Sequence, residues 1–162
     1  MNKAPKNNLE KMIQLAEGFF ATKNDPSQIS INSKVMLRLK NIHPDTITEK
    51  STSKGPIAWI LIIPTTHKIM EQFITKKINE RELYHKIPLH AKYDSVYLCS
   101  ALVLPEYRGR GLAKRLLIKA IKSIQKEHPI KCLFYWGFSR AGKQLSCSVA
   151  KELHLPLHQR PN

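Results

Sequence analysis

The residues best equipped for chemistry stand in one short run, Leu104-Pro-Glu-Tyr-Arg-Gly-Arg-Gly-Leu-Ala-Lys114. An apolar stretch from Ser95 to Leu104 leads into it and stops at Pro105, and a helical pattern from Arg110 to Glu127 leads out of it. A glycine-bearing loop between a strand and a helix N-terminus is a ready anion site. The first helical amides have no intrahelical partner, the helix dipole favours negative charge, and glycine lets a phosphate approach the backbone closely. Arg108 and Arg110 add positive charge where those amides converge. Taken alone, a G-x-G also fits a plain tight turn with solvated arginines.

Absences narrow the anion. A nucleotide-hydrolysing P-loop needs Gly-Lys followed by Ser or Thr, whereas Gly111 is followed by Leu112 and Ala113. A dinucleotide fingerprint needs a glycine or alanine where Lys114 stands. It also needs an acid at the end of the next strand, where the chain has Tyr135, Trp136 and Gly137. What remains is Arg108-x-x-Gly111-x-Ala113, which resembles the coenzyme-A signature of the GNAT superfamily of acyl-CoA N-acyltransferases, Gln/Arg-x-x-Gly-x-Gly/Ala. The surrounding L-V-L-P-E-Y-R-G-R-G-L-A-K-R-L-L strengthens the likeness, which runs from about Tyr97 to Trp136.

The resemblance implies an α+β fold: a central, mixed and splayed sheet flanked by helices, with acyl-CoA in the gap between Ser95–Leu104 and Lys131–Trp136. It implies that backbone groups of Leu102 and Val103 pair with the pantetheine arm. The amides of Arg108, Gly109, Arg110, Gly111, Leu112 and Ala113 would hold the pyrophosphate. Acetyl-CoA, or another acyl-CoA, is the implied co-substrate. The implied reaction is acyl transfer to a primary amine by direct attack in a ternary complex, the acceptor being a small molecule or a protein amine. A homodimer stays open.

The same resemblance leaves the acid and base unassigned. Some relatives carry a glutamate on the central strand where this chain has Tyr97. Many carry a tyrosine and an asparagine on the last helix, where Ala150 and Lys143 stand. Tyr97, Tyr135 and Ser146 are the substitutes within reach, with Cys147 behind them, and each also has a structural reading. A CoA-binding regulatory module without catalysis is therefore the alternative from another class.

Elements must position this loop. Asn8–Ala21 puts Leu9, Met12, Ile13, Ala16, Phe19 and Phe20 on one helical face, followed by a polar connector, Lys23 to Gln28. Together, residues 1–28 form an N-terminal helix and connector of a single domain spanning 1–162. A second helix is expected over Asn32–Ile42, capped by Asn32 or Ser33, with Val35, Leu37, Leu39 and Ile42 inward; His43-Pro44 ends it. Thr46–Lys50, a turn at Ser51–Gly55 and Ile57–Ile63 read as a hairpin, the second strand apolar on both faces. Thr65 or Thr66 caps a helix that buries Ile69, Met70, Phe73, Ile74 and Ile78, and Glu80–Pro88 reads as a short helix and loop. That segment, Pro64 to Tyr93, is longer than a connection requires and is expected to help form the acceptor pocket. Strand Ser95–Leu104, helix Arg110–Glu127 and strand Lys131–Trp136 form a right-handed parallel crossover. A helix from Ser139 to about Leu153 and an edge strand at Leu155–His158 complete the chain.

Composition bounds the partners. The chain has 162 residues, 27 Lys or Arg against 12 Asp or Glu, a net charge of +15 and a pI near 9.9. Residues 1–106 hold fifteen basic and ten acidic residues; residues 107–162 hold twelve and two. Such asymmetry points to an anionic partner, and Arg108, Arg110 and either Lys114 or Lys143 are expected to meet the phosphates of one cofactor. The remainder is expected to be solvated surface. Nucleic acid is the lesser reading, because no aromatic-glycine RNA-binding signature appears. The longest apolar run, Ile57–Ile63, is far short of the roughly 18 residues a membrane span needs, and charges interrupt the N-terminal stretch, so no membrane association and a cytoplasmic location are expected. The three cysteines, Cys99, Cys132 and Cys147, each in an apolar segment, are expected as buried thiols. Metal binding is not expected: Pro156 breaks the His154–His158 spacing, and no other donors cluster near His85 and His90.

Overall fold

The structure is a computed structural model that describes residues 7–19, 27–29, 32–137 and 139–162. Helix α1 (Asn8–Phe19) and helix α2 (Ser33–Ile42) precede a 3-10 turn at Pro44–Thr46. The N-cap of α2 is Asn32, whose side chain accepts the Val35 amide. Only Ser27 and Gln28 of the polar connector fall among the described residues, and Phe20 and Ala21 lie outside them. The expected apolar face of α2 is corrected at one position: Leu39 and Ile42 are buried, but Leu37 is 64% exposed, because its alternating spacing turns it away from the core on a helix of 3.6 residues per turn.

Strands β1 (Ile47–Thr52) and β2 (Gly55–Thr65) form the hairpin. Thr46 belongs to the 3-10 turn rather than the strand, since Pro44 starts that turn. After Thr66, whose hydroxyl accepts the Ile69 amide, α3 (His67–Ile74) stops earlier than expected: Lys76 adopts φ 64° and breaks the helix, although Ile78 still reaches the core. Next come α4 (Glu80–Lys86) and β3 (Ser95–Val103). Helix α5 (Leu112–Gln125) begins two residues later than its sequence pattern, because Gly111 at φ 72° cannot join a right-handed helix. Strand β4 (Cys132–Trp136), helix α6 (Arg140–Leu153) and strand β5 (Leu157–Arg160) follow. Leu155 is not in β5 as expected: His154 in the left-handed region ends α6, and Leu155-Pro156 forms the connection.

The sheet order is β1-β2-β3-β4-β5, with β1, β2 and β3 antiparallel and β3, β4 and β5 parallel. This is the mixed sheet flanked by helices that the sequence implies. Side-chain alternation sorts the helices. Ile57, Trp59 and Leu102 share a face with α1, and Tyr97 on that same face meets Phe73 of α3 at a ring separation of 5.1 Å. Ala58, Ile60 and Ile62 point the other way and are at most 1% exposed; α5, packed beside α6, covers them. The cysteine expectation holds for Cys132, is partial for Cys99 and fails for Cys147, which is exposed on the outer side of α6. No helix among the described residues is long and apolar enough to cross a membrane.

Candidate active site

Two irregularities in β3 make a gap. Leu61 stands opposite Ser100, but the next residue, Ile62, stands opposite Leu98, so Cys99 is an extra, bulged residue. On the other side, pairing with β4 spans only Ser95–Leu98 against Cys132–Tyr135. Beyond Leu98 the two parallel strands part, and the rest of β3 has a free edge. The pairing pattern fixes which groups face that edge. The Leu104 amide donates to Ile57, so the Trp59–Leu102 pair, two residues further along each strand, also exchanges hydrogen bonds. Leu102 therefore gives its backbone to β2, which moves the expected edge pairing to Ala101, alongside Val103.

At the open end of this gap the chain turns through Pro105–Tyr107 into the glycine loop. Gly109 (φ 77°) and Gly111 (φ 72°) both take left-handed conformations, and α5 starts immediately after Gly111. The amides of Leu112 and Ala113 belong to the first helical turn and have no acceptor within the helix. A hollow of about 210 Å³ lies over this turn, lined by Val103, Tyr107, Arg108, both loop glycines and Leu145 of α6. Glycine backbone, helix N-terminus and a hollow beside them fit a pyrophosphate. A larger hollow, about 510 Å³, lies away from the gap between His67 and His158.

The basic side chains do less at this site than the sequence implies. Arg108 folds back, its Nε donating to the Val103 carbonyl at 2.9 Å, which caps the end of β3. Arg110 donates to the Glu106 carbonyl at 3.2 Å and lies over the Tyr107 ring. Arg115 donates to the Arg110 carbonyl at 2.7 Å, and Lys114 pairs with Glu152 at 2.9 Å. These bonds brace the loop from both sides. A further brace comes from Lys11 of α1, 3.0 Å from Glu106.

The three catalytic candidates do not converge. Tyr97 is 1% exposed, sandwiched against Phe134 and Phe73. Tyr135 alternates to the opposite face and donates to Gln159 at 3.1 Å. Ser146 is buried and donates back to the Gly142 carbonyl within α6 at 2.9 Å. What the sequence did not reveal is Glu80. It is 5% exposed at the start of α4; one carboxylate oxygen accepts the Ile29 amide at 3.1 Å and the other accepts the Tyr97 hydroxyl at 2.6 Å. The latter oxygen is also 4.0 Å from the Cys99 sulfur, at the bulge where the strands part. Burial, then the Glu80 charge, pushes the Tyr97 phenol and the Cys99 thiol well above their ordinary values, so both stay protonated. In sequence, Glu80 and Glu82 look alike, both acids in a first helical turn where the dipole favours them. Only the tertiary contact separates their roles. Among the described residues no three metal-binding side chains converge.

The parallel crossover thus parts at a bulge, with a glycine loop and a helix N-terminus at its open end. Residues 45–150 match the acetyltransferase (GNAT) family, and the chain belongs to it. Among solved structures the chain is similar to Naa20 of Chaetomium thermophilum, solved in complex with a bisubstrate analogue. Identity there is 16% and TM-score 0.48, over 89% of this chain and 65% of that one. It is also similar to a tetramutant of the BH1408 protein of Bacillus halodurans, with 14% identity and TM-score 0.45 over 91% and 87% of the two chains. The chain thus spans 65% of the length of that Naa20 chain. No curated protein matches it.

Proposed function

We propose that this chain transfers an acetyl or similar acyl group from acyl-CoA to a primary amine, without a covalent enzyme intermediate. One observation carries the reading: the left-handed glycines and the bare N-terminus of α5 open onto the gap where β3 leaves β4. In this reading the loop amides hold the pyrophosphate, and the Ala101 and Val103 backbone accepts the pantetheine arm as an added strand would be accepted. An amide near the Cys99 bulge polarises the thioester carbonyl. The amine nitrogen forms its bond to the acyl carbon, the C–S bond breaks, and the thiolate takes a proton from water. The amine proton passes by water or through the Tyr97 hydroxyl toward Glu80, the carboxylate that accepts that hydroxyl. A CoA-binding module without turnover is the second reading, supported by the partners that already engage Tyr135 and Ser146.

Calorimetric titration with acetyl-CoA, followed by thiol-release assays over a panel of small amines and N-terminal peptides, separates the two. Acyl transfer gives micromolar binding, loss of that binding in Gly111→Glu, and amine-dependent CoA release. Binding with no release from any amine supports the silent module. No binding, or unchanged binding in the variant, overturns the phosphate-loop reading.

A further inference from the structure

We propose that the outer face of α5 docks the phosphate backbone of a nucleic acid, independently of base sequence. From sequence alone the Lys114–Lys126 face is solvated surface by default and a nucleic-acid face in the lesser reading; the positions of the acids favour the second. Arg115, Lys119, Lys122 and Lys126 are all exposed. At 100° per residue they fall within an arc of about 60°, along about 16 Å of helix. Like charges at this spacing weaken a helix by about 0.2–0.5 kcal/mol per pair unless acids intervene, and α5 contains no acid. Residues 107–162 hold only two acids, Glu127 and Glu152. Glu152 pairs with Lys114 at 2.9 Å, and the Glu127 carboxylate lies 3.4 Å from the buried His43 ring, to the side of the stripe.

The stripe's chemistry selects among anions. No large exposed apolar side chain lies on it, which removes the aliphatic or aromatic anchor that a protein interface uses and the wedge that a membrane surface takes. Neither of the two hollows described above opens on it. A row of point charges one helical turn apart, on a convex face, suits a polymer with repeating phosphates, where binding is driven by counterion release. The apolar side of α5 faces the sheet; of the four, only Arg115, through the Arg110 carbonyl, touches the glycine loop, and among the described residues no hydrogen bond or ion pair joins Lys119, Lys122 or Lys126 to it, so their role stands whichever acceptor that site uses.

The test is fluorescence anisotropy with a fluorescein-labelled DNA duplex of about 20 base pairs, from about 50 to 200 mM salt. Four phosphate contacts give a slope of log K against log salt of about −3.6. Lys119→Glu with Lys122→Glu brings it to about −1.8, weakens binding at least tenfold at low salt, and leaves acetyl-CoA affinity unchanged. Lys50→Glu with Lys54→Glu, the same charge change on the exposed hairpin, leaves DNA binding within about twofold if the stripe is the site. Absence of saturable binding, a flat salt response, or equal loss in both double variants overturns the proposal. So does tighter binding to phosphatidylserine vesicles or to polyglutamate than to the duplex.

Discussion

The Glu80 carboxylate joins two segments far apart in sequence, the Ile29 amide and the Tyr97 hydroxyl. Glu80→Ala leaves both donors unmet in a buried setting, with an expected loss of about 2–3 kcal/mol in urea unfolding. Its proton-accepting role has a different signature. Tyr97→Phe and Glu80→Gln each lower the acyl-transfer rate constant by about 10²-fold while acetyl-CoA affinity holds, and rate is partly regained at higher pH as the free amine increases. If affinity and rate fall together, the pair is only a brace. Gly111 is legible from sequence because the loop chemistry demands a left-handed residue. Glu80 is not, because nothing in I-N-E-R-E-L-Y distinguishes a buried carboxylate from an ordinary first-turn acid.

At the scale of elements, periodicity decided what could be read in advance. Helix α5 declares itself through Leu117, Ala120, Ile121 and Ile124, all buried, and the crossover around it follows from strand-sized apolar runs. Ile121 is fully buried between helix and sheet, so Ile121→Ala is expected to cost about 2–4 kcal/mol in chemical unfolding, with the cofactor loop intact. Boundaries were less legible, because they depend on single residues: Gly111 delays α5, Lys76 ends α3, and His154 ends α6, each through a positive φ. The bulge at Cys99 was not legible at all. It is a mismatch between two strands, and neither strand's own pattern records it.

For the whole molecule, groups held away from their ordinary ionisation set a pH window. Burial, then the charges of Lys92 and His43, holds His128 below its ordinary 6.5. Its neutral Nδ1 accepts the Tyr93 amide, a bond that protonation removes. The stability it contributes is complete above pH 6.5 and falls as pH drops below that value toward the lowered folded pKa. Cys99 and Tyr97 act in reverse: their raised values add stability that is complete below 9.0 and 10.0 and is lost as pH rises past them. Melting temperature is therefore expected to plateau between about pH 6.5 and 9 and to fall on both sides. His128→Gln, which keeps an acceptor but does not titrate, flattens the acidic limb in calorimetric scans. An unchanged acidic limb would assign that loss to other groups.

Arg160 gives the architecture a direction in time. Buried under the Phe73 and Trp136 rings, its guanidinium donates to the carbonyls of Phe73 and Ile78, at the end of α3 and just beyond it. The residue that closes these carbonyls is translated 82 positions after Ile78. A nascent chain thus exposes an unfinished α3 and the bare edge of β4 until β5 emerges. Strand β5 thus completes two things at once, the end of α3 and the edge of β4.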